Sequence, residues 1–138
     1  MQTLGGVCVI NDAYNSNPDS LQAALETLKA FPVRGKLIAV LGDMAELGKS
    51  SESAHNEAGE QVAKLGLSGL IAVGQWADVM VRAAQAVGLS NVAAFEDAAH
   101  AGKALAMKLT PGDVVLVKGS RSAKLERVME ALKGELQP

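Results

Sequence analysis

Apolar and polar residues alternate along this chain in blocks. Five short runs of Val, Ile, Leu and Ala recur, at residues 7–10, 37–41, 70–73, 92–95 and 114–117. Most show no period-two alternation, the pattern of strands covered on both faces. Between them, apolar positions fall three and four residues apart: Leu21, Ala24, Leu25 and Leu28; Ala54, Ala58, Val62 and Leu65; Ala77, Met80, Val81, Ala84 and Val87; Ala98, Ala101 and Leu105; Leu125, Val128, Met129 and Leu132. That spacing belongs to helices with one buried stripe. Strand followed by helix, five times over, predicts a parallel sheet, because parallel neighbours need a long crossover and that crossover is right-handed. The expected fold is a Rossmann-like, doubly wound α/β domain with a mainly parallel sheet and helices on both faces. The opening MQTLGGVCV can add a short antiparallel edge strand. Pro32 is expected to end the first helix, and Pro111-Gly112 to turn the chain into its last strand. With no linker or low-complexity run in 138 residues, a single domain over 1–138 is expected.

Composition narrows the class. Thirteen basic and fifteen acidic residues leave a formal net charge of −2, without the positive field that a nucleic-acid surface requires. Aromatic residues make up 3%, which disfavours the stacking platforms of single-strand binders. Nucleic acid is therefore not the expected partner. Cys8 is the one cysteine and lies in an apolar run, so no disulfide forms within the chain and no metal site is expected. No apolar stretch approaches the ~20 residues that span a bilayer, and MQTLGG lacks the regions of a signal peptide. A cytoplasmic protein without membrane contact is expected.

In an open parallel sheet the loops leaving the carboxyl ends of the strands form the ligand crevice. Three such loops are chemically unusual: NDAYNSNP, GDMAELGKS and KGSRS. In the first, Asn17 suits an N-cap and Pro18 the first helical position. Helix initiation does not account for Asp12 or Tyr14. A carboxylate there can accept from ribose hydroxyls, and Tyr14 offers a ring face and a hydroxyl. The second loop imitates the phosphate loop GxxxxGK[ST], but five residues instead of four separate Gly42 from Gly48. Asp43 and Glu46 would also repel a triphosphate, so a P-loop is excluded. These carboxylates suit an ammonium group, a cationic side chain or a Mg²⁺-linked water, with capping and a solvated loop as the plainer alternative. In the third loop, Lys118, Ser120 and Arg121 stand where a strand end meets a helix start, and Arg121 can hold a carboxylate or phosphate in a bidentate fork. Ser120 can equally be a helix cap. His55 and His100 fit no metal spacing or nucleophilic triad. His100 is expected on a helix surface, and Trp76 in the core.

Together the three stretches resemble one family. DAYNSNPDSL looks like the D-[AS]-Y-N-A-N-P motif that opens the C-terminal domain of the Mur ligases, and VLGDMAELG with the following His55 and VLVKGSRS...LERV match in order and separation. The latter two match the member that adds D-alanyl-D-alanine. The resemblance covers essentially the whole chain. It implies the C-terminal domain of a three-domain enzyme, with MQTLGG near the boundary and without the UDP-sugar and central ATPase domains, so that the chain alone is expected to be inactive. It further implies an ATP-dependent ligase of peptidoglycan precursor synthesis, joining D-alanyl-D-alanine to UDP-N-acetylmuramoyl-tripeptide through an acyl phosphate. By resemblance Asp12 meets the nucleotide ribose, with Tyr14 and Asn15 beside it, while ATP and Mg²⁺ are held mainly by the central domain. For the dipeptide, loop placement and charge nominate Arg121, Lys118 and Ser120 for its carboxylate and Asp43 or Glu46 for its ammonium end. The competing readings are a stand-alone Rossmann-like module that binds a nucleotide or anion without catalysis, and a receiver-type domain, for which Asp12 and Asp43 give only part of the acidic site.

Overall fold

The computed structural model describes residues 1–137. The strands are β1 (Gln2–Leu4), β2 (Val7–Asp12), β3 (Leu37–Gly42), β4 (Gly69–Val73), β5 (Val92–Phe95) and β6 (Val114–Lys118). The helices are α1 (Pro18–Lys29), α2 (Ser51–Lys64), α3 (Ala77–Ala86), α4 (Ala98–Ala106) and α5 (Glu126–Leu136). One sheet holds the strands in the order β1-β2-β6-β3-β4-β5. β1 is antiparallel to β2 and every other pairing is parallel. The expected α/β architecture and the edge strand are both present.

Right-handed crossovers explain the layers. The chain moves in one direction from β2 through β3 and β4 to β5, which puts α1, α2 and α3 on one face. It then returns from β5 to insert β6 between β2 and β3, and this reversal sends α4 to the other face. The core divides accordingly. Leu21, Leu25, Leu28, Ala58, Val62 and Met80 pack in one cluster, and Ala101, Leu105, Val128 and Leu132 in the other. Along β6, Val115 and Val117 enter one cluster while Val114 and Leu116 enter the other. A strand buried this way has no polar face, hence the unbroken apolar run in the sequence.

Four strands run further than their apolar runs predict, β3 by Gly42, β4 by Gly69, and β2 and β6 by polar residues. β2 continues through Asn11 to Asp12, and β6 through Lys118, because the ladder between them persists: Asn11 pairs with Val117 and Asp12 with Lys118. Asp12 and Lys118 are therefore strand residues, not loop residues.

At the opposite edge, buried Asp113 fastens the entries to β3 and β6. It accepts from the Lys36 amide at 2.8 Å and the Thr110 amide at 3.0 Å, and pairs with the Lys36 ammonium at 3.2 Å. Burial opposes its ionisation, but the Lys36 and Thr110 amides and the Lys36 charge outweigh burial and hold the carboxyl below its ordinary value. A carboxyl lowered by folding stabilises fully above its unfolded pKa of about 3.9 and loses that contribution as pH falls through the folded value. Urea denaturation across pH is expected to show a midpoint that drops below about pH 4. Asp113→Asn should lower the neutral-pH midpoint and make that acid decline shallower.

Helices α2 and α3 meet at Gly59, where a β-carbon would collide with the Met80 carbonyl oxygen. Gly59→Ala gains about 1 kcal/mol of helix propensity. Overpacking against a backbone atom costs about 1–3 kcal/mol and should win. Calorimetry is expected to show a lower Tm for the variant.

Candidate nucleotide and acceptor site at the carboxyl edge

β6 lies between two strands whose following helices, α1 and α2, cover one face, whereas the chain leaving β6 passes to α5 on the other. Connections therefore diverge on both sides of β6, which opens a crevice at the carboxyl edge. Two polar junctions are built there.

The first joins β2 to β6. Lys118 Nζ donates to Asp12 Oδ2 at 2.6 Å and to the Asn15 carbonyl at 3.0 Å. The lysine side chain is 2% exposed and that of Asp12 46%. The ammonium is thus committed inside the protein, while the carboxylate keeps lone pairs open to solvent. Beyond the junction Tyr14 is 60% exposed. Asn17 then accepts from the Ser20 amide at 2.9 Å, and the Ser20 hydroxyl accepts from the Asn17 amide at 3.1 Å, closing a capping box with Pro18 in the first turn. The stretch between Asp12 and α1 is anchored at both ends, with Tyr14 and Asn15 displayed between the anchors.

The second joins β3, β4 and β6. The Asp43 carboxylate accepts the amides of Gln75 and Trp76, each at 2.9 Å, ahead of α3, and its carbonyl accepts the Ser120 amide at 2.9 Å. Gly74, at φ +116°, lies under that carboxylate; a β-carbon there would sit 2.5 Å from Oδ2. Asp43 therefore adopts its plainer alternative, backbone capping. Glu46 projects from a backbone with φ 62° and is exposed. His55, fully buried, accepts from the Met44 amide at 2.9 Å, and its other ring nitrogen meets the Ser51 carbonyl at 2.6 Å. Trp76 is half-buried and stacked on His55, so the expectation of a core tryptophan holds in part.

After β6 the Ser120 hydroxyl meets that of Ser122 at 2.9 Å. Ser120 does not cap α5, contrary to the simpler expectation. A 3-10 turn, Arg121–Ala123, and Lys124 in the left-handed conformation come first. Arg121 is exposed and, among the described residues, makes no ion pair. His100 is on the surface as expected, 3.0 Å from Asp97.

The fold thus brings Asp12, Asn15 and Lys118 into contact and links Asp43 to Ser120 through the backbone. Tyr14, Glu46 and Arg121 are left facing solvent. Sequence reasoning missed His55 as the anchor of the Met44 turn, although the signal was present. His55, Ala58 and Val62 follow helical spacing, which places the imidazole on the buried stripe. A cavity of about 630 Å³ lies to one side, lined by Gln75, Ala77, Asp78, Phe95 and Glu96, and contains none of the candidate residues. Among the described residues no three His, Cys, Asp or Glu side chains converge as metal ligands, and no helix is long and apolar enough to cross a membrane.

Residues 1–121 match the family described as Mur ligase, glutamate ligase domain. The chain belongs to the Mur ligase family. This Mur ligase domain is 36% identical to the UDP-N-acetylmuramoyl-tripeptide--D-alanyl-D-alanine ligase of Mycobacterium leprae, over 94% of the chain and 28% of that enzyme. Among solved structures it resembles the MurF ligase of Thermotoga maritima in complex with ADP, at TM-score 0.79 and 34% identity over 99% of the chain and 30% of that one. MurF of Acinetobacter baumannii is similar at TM-score 0.84 and 32% identity, over 97% of the chain and 29% of that one. The chain spans less than a third of each of these Mur ligases.

The Asp12–Lys118 pair makes an asymmetric prediction. Asp12→Ala strands a buried ammonium, whereas Lys118→Met leaves a half-exposed carboxylate that water can serve. Urea denaturation should show the aspartate variant losing about 1–3 kcal/mol and the lysine variant less. Equal losses, or the reverse order, would contradict the pairing.

Proposed function

We propose that this chain is the C-terminal domain of a cytoplasmic ATP-dependent ligase that joins D-alanyl-D-alanine to UDP-N-acetylmuramoyl-tripeptide, the UDP-sugar and central ATPase domains lying outside residues 1–138. The names of the relatives support the reaction, and the ADP complex of the Thermotoga maritima enzyme supports the nucleotide. The observation that carries the reading is the Asp12–Lys118 pair at the mouth of the crevice. It supplies a carboxylate that is oriented from inside and open from outside.

In this reading Asp12 accepts from ribose hydroxyls, with Tyr14 and Asn15 beside it, and Lys118 serves the nucleotide side by holding Asp12 instead of reaching the dipeptide. Arg121 takes the dipeptide carboxylate in a bidentate fork, and Glu46 its ammonium end. Asp43 and Ser120 fix the loops that carry those two charges. The residues described do not fit a Mg²⁺ site, since no three candidate ligands converge; the cation is assigned to the central domain together with most ATP contacts. A phosphoryl group passes from ATP to the tripeptide carboxylate. The dipeptide amine then attacks the acyl carbon, the bond from carbon to phosphate oxygen breaks, phosphate leaves and the amine gives up its proton. Water competes for the acyl phosphate, so a domain that closes while carrying the acceptor couples exclusion of water to delivery of the nucleophile. The contribution of this chain is positioning.

Phosphate release by the complete gene product, with ATP and UDP-N-acetylmuramoyl-tripeptide, is expected to depend on D-alanyl-D-alanine. Arg121→Ala should raise KM for the dipeptide by about 10-fold or more, the cost of a charge-assisted bond, with KM for ATP little changed. Release indifferent to the dipeptide would replace this reading with that of a nucleotide- or anion-binding module.

A further inference from the structure

His55 has no part in the chemistry assigned above, yet it is fully buried on α2 with every polar atom engaged. Its partners fix its state. The Ser51 carbonyl can only accept, so Nδ1 donates to it across 2.6 Å; the Met44 amide can only donate, so Nε2 accepts across 2.9 Å. The ring is neutral and protonated on Nδ1. Its face stacks on Trp76, with centroids 5.4 Å apart and planes within 15°. The Trp76 amide is held by the Asp43 carboxylate, and the Asp43 carbonyl holds the Ser120 amide. One imidazole therefore stands at the root of a chain of contacts through the segments that follow β3, β4 and β6.

We infer that His55 is a positioning residue for the acceptor half of the site, clasping the turn that bears Glu46 to the turn that bears Arg121 through Met44, Trp76 and Asp43. The inference rests on the proposed ligase reading for the identity of the acceptor, a zwitterion with an ammonium at one end and a carboxylate at the other. Such a ligand needs its two countercharges at a set separation. If the two turns moved independently, binding would have to order them, and that cost would appear as lost affinity. Asp12 stands outside the clasp, since it hangs from the ladder between β2 and β6 and is held by Lys118. The effect of breaking the clasp is therefore selective for the acceptor.

The test uses His55→Gln and His55→Asn. A glutamine oxygen reaches the place of Nε2 and can accept from Met44, while the shorter asparagine cannot. In the complete enzyme His55→Asn is expected to raise KM for D-alanyl-D-alanine about tenfold, equivalent to about 1.4 kcal/mol, with KM for ATP unchanged and His55→Gln recovering most of the loss. In the 138-residue chain the same asparagine variant should accelerate hydrogen exchange of the Met44 and Ser120 amides together, and the glutamine variant should restore both. Unchanged dipeptide KM, or equal increases in both KM values, overturns the inference. Should His55→Asn fail to fold, Trp76→Leu removes the stack and keeps both imidazole bonds; it is expected to raise dipeptide KM with Met44 protection intact, and an unchanged KM again overturns the clasp. If the unaltered enzyme shows no dipeptide-dependent phosphate release, the ligase reading fails on its own. Amide exchange then decides the clasp: coupled acceleration of Met44 and Ser120 supports it, and acceleration of Met44 alone overturns it.

Discussion

The insertion of β6 between β2 and β3 is the constraint on which the carboxyl edge depends. Parallel pairing fixes which residues stand side by side, and here it sets Lys118 opposite Asp12 on one flank and Leu41 on the other. Lys118 ends a strand whose preceding residues are all buried, so its ammonium has little access to water and must find acceptors within the protein. Asp12 and the Asn15 carbonyl are those acceptors. The same ladder that defines the core thereby orients a carboxylate at the mouth of the crevice, and a one-residue slip of β6 would put Lys118 on the wrong face and break both roles at once.

The second junction works differently, because Asp43 binds backbone groups only. Its carboxylate caps the approach to α3 and its carbonyl holds the start of the turn after β6, so the three segments are tied without involving the side chains that face solvent. This explains why the acidic loop, which reads in sequence as two equivalent carboxylates, divides in the structure. Asp43 is consumed by scaffolding, and Glu46 remains outside on a left-handed residue that no strand or helix absorbs.

The architecture was legible in the sequence because every cue agreed. Unbroken apolar strands, helical stripes and the Asn17-Pro18 start all point to a doubly wound sheet; β3 and β4 each gain one glycine, and β2 and β6 gain polar residues at their ends. Those polar ends depend on Asn11, Asp12 and Lys118 entering a ladder. Polar residues do so only when a partner strand supplies the register, and a single strand's sequence does not contain it. The candidate residues of the site were legible as a set, because three charged loops at strand ends are conspicuous. Their division of labour was not. Whether Lys118 points outward to a ligand or inward to Asp12 depends on side-chain burial across a pair 106 residues apart. His55 was the most readable of the hidden residues, since its position on the stripe of α2 predicts burial, and burial of an imidazole demands partners.

In the proposed role, a domain that delivers an acceptor has to reconcile rigidity with free charge. Burying and pairing a charged group makes it a good strut and a poor ligand, because its hydrogen-bonding capacity is spent. An exposed arginine or glutamate keeps that capacity but loses side-chain entropy on binding, up to about 2 kcal/mol for a long side chain. The structure separates the two demands. Lys118, Asp43 and His55 are struts, with partners that fix the backbone beneath the site. Tyr14, Glu46 and Arg121 project from that fixed backbone. Only their side chains remain to be ordered when a ligand arrives, which confines the entropic cost to a few rotatable bonds and spares the loops that carry them.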